Sequence, residues 1–435
     1  MSILIQNVQH EGEAVDVLID GNIISSIVPV ERDLPPSSQL WRTGRARSEH
    51  ARRSCSTLID GTEMAILPTF HNAHHHAAMA YMRSYADDLE LFEWLNEHVW
   101  PLEAGITEED VYHGARLACL EMIKSGTTFF NDMYWYFHGT ARAVEEMGMR
   151  AALGAVFIDM NDSGKRAANR EQAEQLLEER SRYSDRIQFQ LGPHALYTVS
   201  REALEWCAEF AAEHGLMIHT HLSETQKEVQ DCLTLHGLRP PAYLDSLGLL
   251  APNVTAAHCV HLEQAEMELL AERGVKALHC PTSNMKLCSG KFRFTDAQNA
   301  GMQIAIGTDG AASNNNLCMI EEVKIAALLE KHFTGDPTAL PAETAWHAAT
   351  RAAAGMFGLN SGLIQEGALA DLMLVNLNNE RLVPGHNLIA DMVYSADSAC
   401  VDTVLCDGNI LMQNRHVPGE EEIIAKGRAF KKKFR

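Results

Sequence analysis

The chain of 435 residues lacks any run of roughly 18 consecutive apolar residues, the length a membrane-spanning helix needs. Its opening, MSILIQNVQHEGEAVDVLIDG, has no basic segment leading into an apolar one, so no export signal is expected and the cytoplasm is the default compartment. Positive charge is in deficit: 36 lysines and arginines face 58 aspartates and glutamates, a net charge of −22 that repels phosphate backbones and anionic membranes. Nucleic acid and membrane surfaces are therefore excluded as partners. The ten cysteines form no Cys-x-x-Cys pair, and a chain of this length does not need disulfide staples, so they are expected as buried thiols. Internal repeats and low-complexity segments are also missing. With 46% apolar and 22% charged residues, the composition is that of a globular protein, not a disordered or coiled-coil one. What the chain has in unusual number is histidine, 21 in all, several of them clustered.

The first 35 or so residues read as short β-rich pieces, ILIQNVQ, EAVDVLID and NIISSIVPV, separated by turn residues. Between Trp41 and Cys55 the sequence turns arginine-rich and aperiodic, as expected of an exposed loop over 42–53. From Met64 short apolar runs alternate with helical stretches. Strands are expected at Met64–Phe70, Thr127–Asn131, Ala151–Phe157, Ile187–Leu191, Leu216–Thr220, Val254–Ala257, Val275–Leu278 and Gln303–Gly307, with helices such as Glu108–Lys124, Arg201–Glu213 and Leu262–Glu272 between them. Eight such units predict an α/β fold, a (β/α)8 TIM-like barrel. After Gly362 the pieces LADLMLVN and CVDTVLCDGNILM are again sheet-like, before a basic tail expected as a surface helix. Residues 1–63 and 362–435 are thus expected to build one small composite β-sandwich domain beside a metal-dependent barrel over 64–361.

The histidines fall at predicted strand ends. In the first barrel strand His74 and His76 share a face because strand side chains alternate, while His71 and His75 point to the other side. Two imidazoles at i and i+2 can share one metal ion, and the C-terminal strand ends are where a barrel keeps its active site. HTHLSE places His219 and His221 in phase at the fifth strand, with Glu224 just beyond; AAHCVH ends the sixth strand at His258, followed by His261; IAIGTDGAASNNN ends the eighth at Asp309. One such cluster alone is ambiguous. Four on strands whose ends the fold brings together point to a metal site of imidazoles and a carboxylate, a composition that leaves room for water. A metal so held lowers the pKa of its water towards neutrality, so the reaction class is metal-assisted hydrolysis.

These motifs resemble the amidohydrolase superfamily and, within it, the 5′-methylthioadenosine/S-adenosylhomocysteine deaminases. The resemblance runs over nearly the whole chain: PTFHNAHHH matches the opening Asn-x-His-x-His pattern with Thr69 at the usual glycine, and SYADDLELFEWLNEHVWPLE resembles the substrate lid. It implies that His74, His76, His221 and Asp309 bind one divalent metal ion, zinc before iron or manganese. It further implies Glu224 as proton shuttle, His258 as the residue orienting the attacking water, Glu103 as acceptor from the ribose hydroxyls, and His194 as a contact to the nucleoside. Asp309 takes the remaining proton, and the adenine ring becomes a 6-oxo purine with release of ammonia. The substrate partner is then a small purine nucleoside, and the resemblance allows a homo-oligomer.

One departure bears on substrate choice. Family members that grip the S-adenosylhomocysteine carboxylate use arginines in and after the third strand, where this chain has Ala155; Lys165, Arg166 or Arg170 are possible substitutes. The expectation is therefore 5′-methylthioadenosine or another nucleoside with a small neutral 5′ group, with Met79, Met82, Phe92 and Trp94 as candidate apolar lining. Two rivals stand beside it. A deaminase or chlorohydrolase of a free heterocyclic base would share metal and acid but have no use for Glu103. A non-catalytic scaffold would not need to retain the full ligand set. A two-metal relative with a carboxylated lysine on the fourth strand is disfavoured, because QLGPHALY has no lysine there.

Overall fold

The computed structural model describes residues 2–30 and 55–432; the arginine-rich loop expected over 42–53 lies outside them. Five strands come first: β1 (Ser2–His10), β2 (Glu13–Asp20), β3 (Ile23–Pro29), β4 (Thr57–Asp60) and β5 (Met64–Pro68). Eight parallel strands follow: β6 (Phe70–His75), β7 (Thr127–Asp132), β8 (Arg150–Phe157), β9 (Ile187–Pro193), β10 (Met217–Leu222), β11 (Val254–His258), β12 (Lys276–His279) and β13 (Gln303–Ile306). Three more, β14 (Leu372–Asn376), β15 (Val401–Cys406) and β16 (Asn409–Met412), return to the first group.

Both chain ends are woven into one sheet in the order β16-β15-β14-β5-β1-β2-β3, with β4 beside β1. Period-two alternation gives this sheet two buried faces. Ile66, Leu372 and Leu374 turn to a core shared with Ile3, Ile5, Val17 and Ile19, whereas Ala65, Leu67, Met373 and Val375 pack against the barrel. Runs such as LMLV are apolar throughout because neither face meets water.

The barrel strands run in the order β6 to β13, each beside the next. Every residue of β8 is buried, as expected where helices cover the outside and side chains fill the inside. Between β13 and β6 the ring closes through specific bonds: Asp309 N donates to His74 O at 3.0 Å, Thr308 N to Asn72 Oδ1 at 2.9 Å, and Asn72 Nδ2 to Thr308 Oγ1 at 2.7 Å. A Cβ at Gly307 would lie 2.5 Å from the His74 amide nitrogen, so this seam requires glycine.

The sequence-derived strand Met64–Phe70 is in fact the junction of two sheets. Pro68 has no amide hydrogen to continue a ladder; Thr69 N still donates to Asp371 O of the end sheet (3.4 Å), while Phe70 N donates to Gly126 O in the barrel (2.9 Å). The barrel's first strand therefore starts at Phe70, and the other seven lie within two residues of expectation. The final helix, Glu420–Phe430, is not merely superficial. It buries Ile423 and Phe430 and pairs Glu422 with Arg116 (2.8 Å) and Glu420 with Lys124 (2.6 Å) of the helix Glu108–Lys124. No described helix is long and apolar enough to cross a membrane.

Candidate active site

Because the barrel strands are parallel, their C-terminal ends share one rim, and the histidine motifs meet there. His74 stands near the end of β6 and His76 just past it; His221 and His258 close β10 and β11; Asp309 follows β13 by three residues. Ring centroids of His74 lie 4.9 Å from those of both His76 and His221, and 5.4 Å from that of His258. Ligand atoms of His74, His76 and Asp309 fall within 4.8 Å of one another, as do those of His74, His221 and His258. The four residues expected to bind metal are thus gathered, and His258 is drawn in beside them.

The hydrogen bonds fix which ring nitrogen is free. A carbonyl has no hydrogen to give, so His76 Nδ1 must donate to Met133 O (2.6 Å) and His221 Nδ1 to His194 O (2.6 Å). Each Nε2 is thereby left facing the cluster, that of His76 lying 3.3 Å from the Asp309 carboxylate. His74 Nδ1 pairs with His219 Nε2 at 2.8 Å, and His219 Nδ1 with Thr255 Oγ1 at 2.9 Å, leaving His74 Nε2 buried with no hydrogen-bond partner. Buried imidazole lone pairs converging on a carboxylate are the donor set of a divalent metal, and the outward bonds are what orient such ligands. The residues present fit the metal.

Electrostatics separate the rings. Burial holds His74 down at about 4 and His221 well below the ordinary imidazole range, as neutral ligands require. Burial also works against a charge on His76, but the Asp309 carboxylate, 3.3 Å from its Nε2, outweighs this and draws it up to about 9, so this ring has to give up a proton to serve as a ligand. Asp309 itself is held well below the carboxylate range: the His74 and His76 contacts overcome its burial. Its Oδ2 accepts from Ser283 Oγ (2.6 Å) and Ser313 Oγ (3.0 Å), and Oδ1 from Gly310 N (2.7 Å). Ser223, His258, Cys259 and Asp309 all have left-handed backbone, with φ of 50°, 69°, 50° and 61°. Such strain costs about 1 kcal/mol or more per residue and clusters where side chains are held for function.

A cavity opens above the cluster. His76, His221, His258 and Asp309 line one end with Glu224, and Glu103, His194 and Trp94 line the same space. Glu224 Oε2 lies 3.8 Å from His258 Nε2, and Ser289 Oγ donates to Oε1 at 3.0 Å. Glu103 comes from the short helix Trp100–Glu103 and accepts from Trp135 Nε1 at 3.3 Å. Burial raises its pKa, partly offset by the Tyr134 and Trp135 side chains. His194 is held by burial at about 3, hence neutral, and its Nδ1 pairs with Thr198 Oγ1 at 3.0 Å.

Some candidates fall elsewhere. Met79 lines the cavity, but Met82 is buried in the lid's own core and Phe92 packs on Tyr197, with ring centroids 5.6 Å apart. Phe92 is kept out by helix phase, since Leu91, Trp94, Leu95 and Val99 occupy the inward stripe. Arg166 is engaged by Ser200 (3.1 Å) and Arg170 by Glu202 O (2.7 Å) and the Trp206 ring; Ala155 is a buried strand residue. Among the described residues no lysine or arginine lines the cavity. Sequence reasoning missed Asn284, whose Oδ1 lies 2.9 Å from His258 Nδ1, and the serines on Asp309. Ser313, four residues past Asp309 in the same irregular segment, was findable by its nearness in the chain; Ser283 and Asn284, on the helix Pro281–Lys286 after the seventh barrel strand, carried no signal.

The sequence pattern of the amidohydrolase family matches residues 65–411. A protein named 5′-deoxyadenosine deaminase from Methanoregula boonei is 44% identical over 427 residues, 98% of this chain and 93% of the relative. One named 5-methylthioadenosine/S-adenosylhomocysteine deaminase 1, from Archaeoglobus fulgidus, is 48% identical over 84% of this chain and 86% of its own length. The crystal structure of an adenosine deaminase from Xanthomonas campestris with bound zinc superposes with a TM-score of 0.88 at 33% identity, covering 99% of this chain and 98% of that one. With the histidine–aspartate cluster at the barrel rim and a family match spanning most of its length, this chain belongs to the amidohydrolase family.

Proposed function

We propose that the chain is a zinc-dependent deaminase that hydrolyses an adenosine derivative with a small neutral 5′ group to the inosine derivative and ammonia. The observation that carries this is a single cavity holding Glu224 beside the histidine–aspartate cluster and a second carboxylate, Glu103, on the lid, with no lysine or arginine lining it among the described residues. The names of the relatives at 44–48% identity favour the same reading.

His74, His76, His221 and Asp309 would hold the ion, which would supply Lewis-acid activation of a water at neutral pH. Glu224 accepts one proton of that water and delivers it to ring nitrogen 1, so that oxygen can add at carbon 6. His258 hydrogen-bonds the attacking water, its own tilt set by Asn284. Asp309, anchored by two serines and a backbone amide, takes the remaining proton and passes it to the amino group. The bond from carbon 6 to that nitrogen then breaks, ammonia leaves and the 6-oxo purine remains. Glu103 accepts from the ribose hydroxyls, His194 contacts the nucleoside, and Trp94 supplies apolar wall. Among the described residues that line the cavity, an amino-acid tail finds no guanidinium to pair its carboxylate.

The test is the ultraviolet change on deamination, with ammonia release as a check, across 5′-methylthioadenosine, 5′-deoxyadenosine, adenosine and S-adenosylhomocysteine. Zinc-loaded protein should turn over the neutral 5′ derivatives with the highest kcat/KM, and Glu224→Gln should be inert. Silence on every adenosine by metal-loaded protein would refute the proposal in favour of a free-base hydrolase.

A further inference from the structure

We propose that Glu228 is a positioning residue for the Glu224 carboxylate, an inference that rests on the deaminase reading above. The helix Gln226–His236 is capped by Thr225, whose side chain accepts from Glu228 N at 3.1 Å. An acid at this third helical position ordinarily reaches back to the amide of the capping residue. Asp110 does so in this chain, accepting from Thr107 N at 2.8 Å in a solvent-facing box.

Glu228 reaches further. Its Oε1 accepts from Ser223 N and its Oε2 from Glu224 N, each at 2.8 Å. Successive amides aimed at one point form an anion-binding turn, and the left-handed Ser223 (φ 50°) creates that concavity where the chain leaves β10. The other side of the turn is held as well: Ser223 O accepts from Val260 N (3.1 Å) and His261 N (2.9 Å). The tip is held by Ser289, whose hydroxyl donates to Glu224 Oε1 and whose carbonyl lies 2.6 Å from His261 Nε2. Of the Glu224 carboxylate, Oε2 is left to face His258 and the cavity.

Glu228 is buried, and among the described residues no lysine or arginine pairs with it. A buried carboxylate without a cation is costly, and a helix cap alone does not call for one, as the Thr107–Asp110 box illustrates. What this carboxylate adds is a fixed direction for the residue beside it. Proton delivery demands that direction, because displacing a reacting group by about 1 Å can lower a rate about a hundredfold.

The decisive variant is Glu228→Gln, which keeps the shape but turns an amino group towards one of the two amides, setting donor against donor. On 5′-deoxyadenosine with zinc-loaded protein, kcat should fall about tenfold to a hundredfold while KM and bound metal stay at wild-type values. Glu228→Asp keeps both acceptor oxygens on a shorter arm and should fall between the two, and it decides the matter should the glutamine variant not fold. A kcat within about twofold of wild type in the folded, metal-loaded variants overturns the proposal, as does a loss shared with KM or metal content. Wild-type protein inert on every adenosine overturns the deaminase reading itself, and the inference with it; active wild type with inert Glu224→Gln keeps that reading and leaves Glu228 to be judged on its own variants.

Discussion

Glu103→Gln is the sharpest probe of nucleoside recognition. The carboxylate sits in the lid segment, bonded to Trp135 Nε1 and facing the cavity, with burial raising its pKa. Glutamine preserves the shape and one acceptor oxygen but replaces the other with a donor, so one charge-assisted hydrogen bond to a vicinal diol is lost. Such bonds contribute about 1.5–3 kcal/mol, which predicts a kcat/KM lower by roughly one to two orders of magnitude on 5′-deoxyadenosine. The loss should be shared with the substrate: on the 2′,3′-dideoxy analogue, wild type and variant should be nearly equal, because neither can make the missing bond. Steady-state deamination rates on the two substrates with the two proteins close this cycle. Equal losses on both substrates would refute the reasoning, since Glu103 would then be supporting the lid rather than reading the ribose.

Two further outcomes follow from the fold. Arg150 joins barrel and end sheet, donating to Asp371 Oδ2 (3.0 Å) and Asp407 Oδ1 (2.5 Å) at a buried site, so Arg150→Met, which strands the buried Asp371, should cost about 3–5 kcal/mol and lower Tm clearly by calorimetry. Burial holds His279 at about 3, below the ordinary value of 6.5, so the folded state binds fewer protons than the unfolded chain between those limits. Its contribution is therefore complete above pH 6.5 and is lost as pH falls towards 3. His279→Phe, stacked like the native ring on Phe292, should retain about 2 kcal/mol more than wild type at pH 5 relative to pH 7, read as a smaller drop in Tm. An equal drop in both proteins would refute it.

The barrel was legible because its signal is local: seven strands and the helix Glu108–Lys124 follow from apolar periodicity and capping residues that each segment carries within itself. The exception is instructive. MAILPTFHNAHH reads as one strand because both halves are buried, and nothing in a buried run says which sheet buries it. The split at Thr69 depends on Asp371 and Gly126, residues far along the chain.

The same division runs through the site. Period-two phase by itself put His74 and His76 on one face, and strand-end placement by itself picked out the pair His219 and His221, with His258 and Asp309, because these are relations between near neighbours in the chain; the choice of His221 over His219 came from the family resemblance. The rest is settled by partners distant in sequence. His219, equally in phase with His221, is turned into a support because Thr255 and His74 bracket its ring. Phe92 is excluded from the cavity by the rotation of its helix, and Glu228 meets Glu224 only because a left-handed serine folds the chain back ahead of it. Sequence alone determined which residues could hold a metal and carry a proton; which nitrogen faces inward, and which carboxylate is aimed, only tertiary contacts decided, since hydrogen-bond direction is a property of pairs and not of positions along a chain.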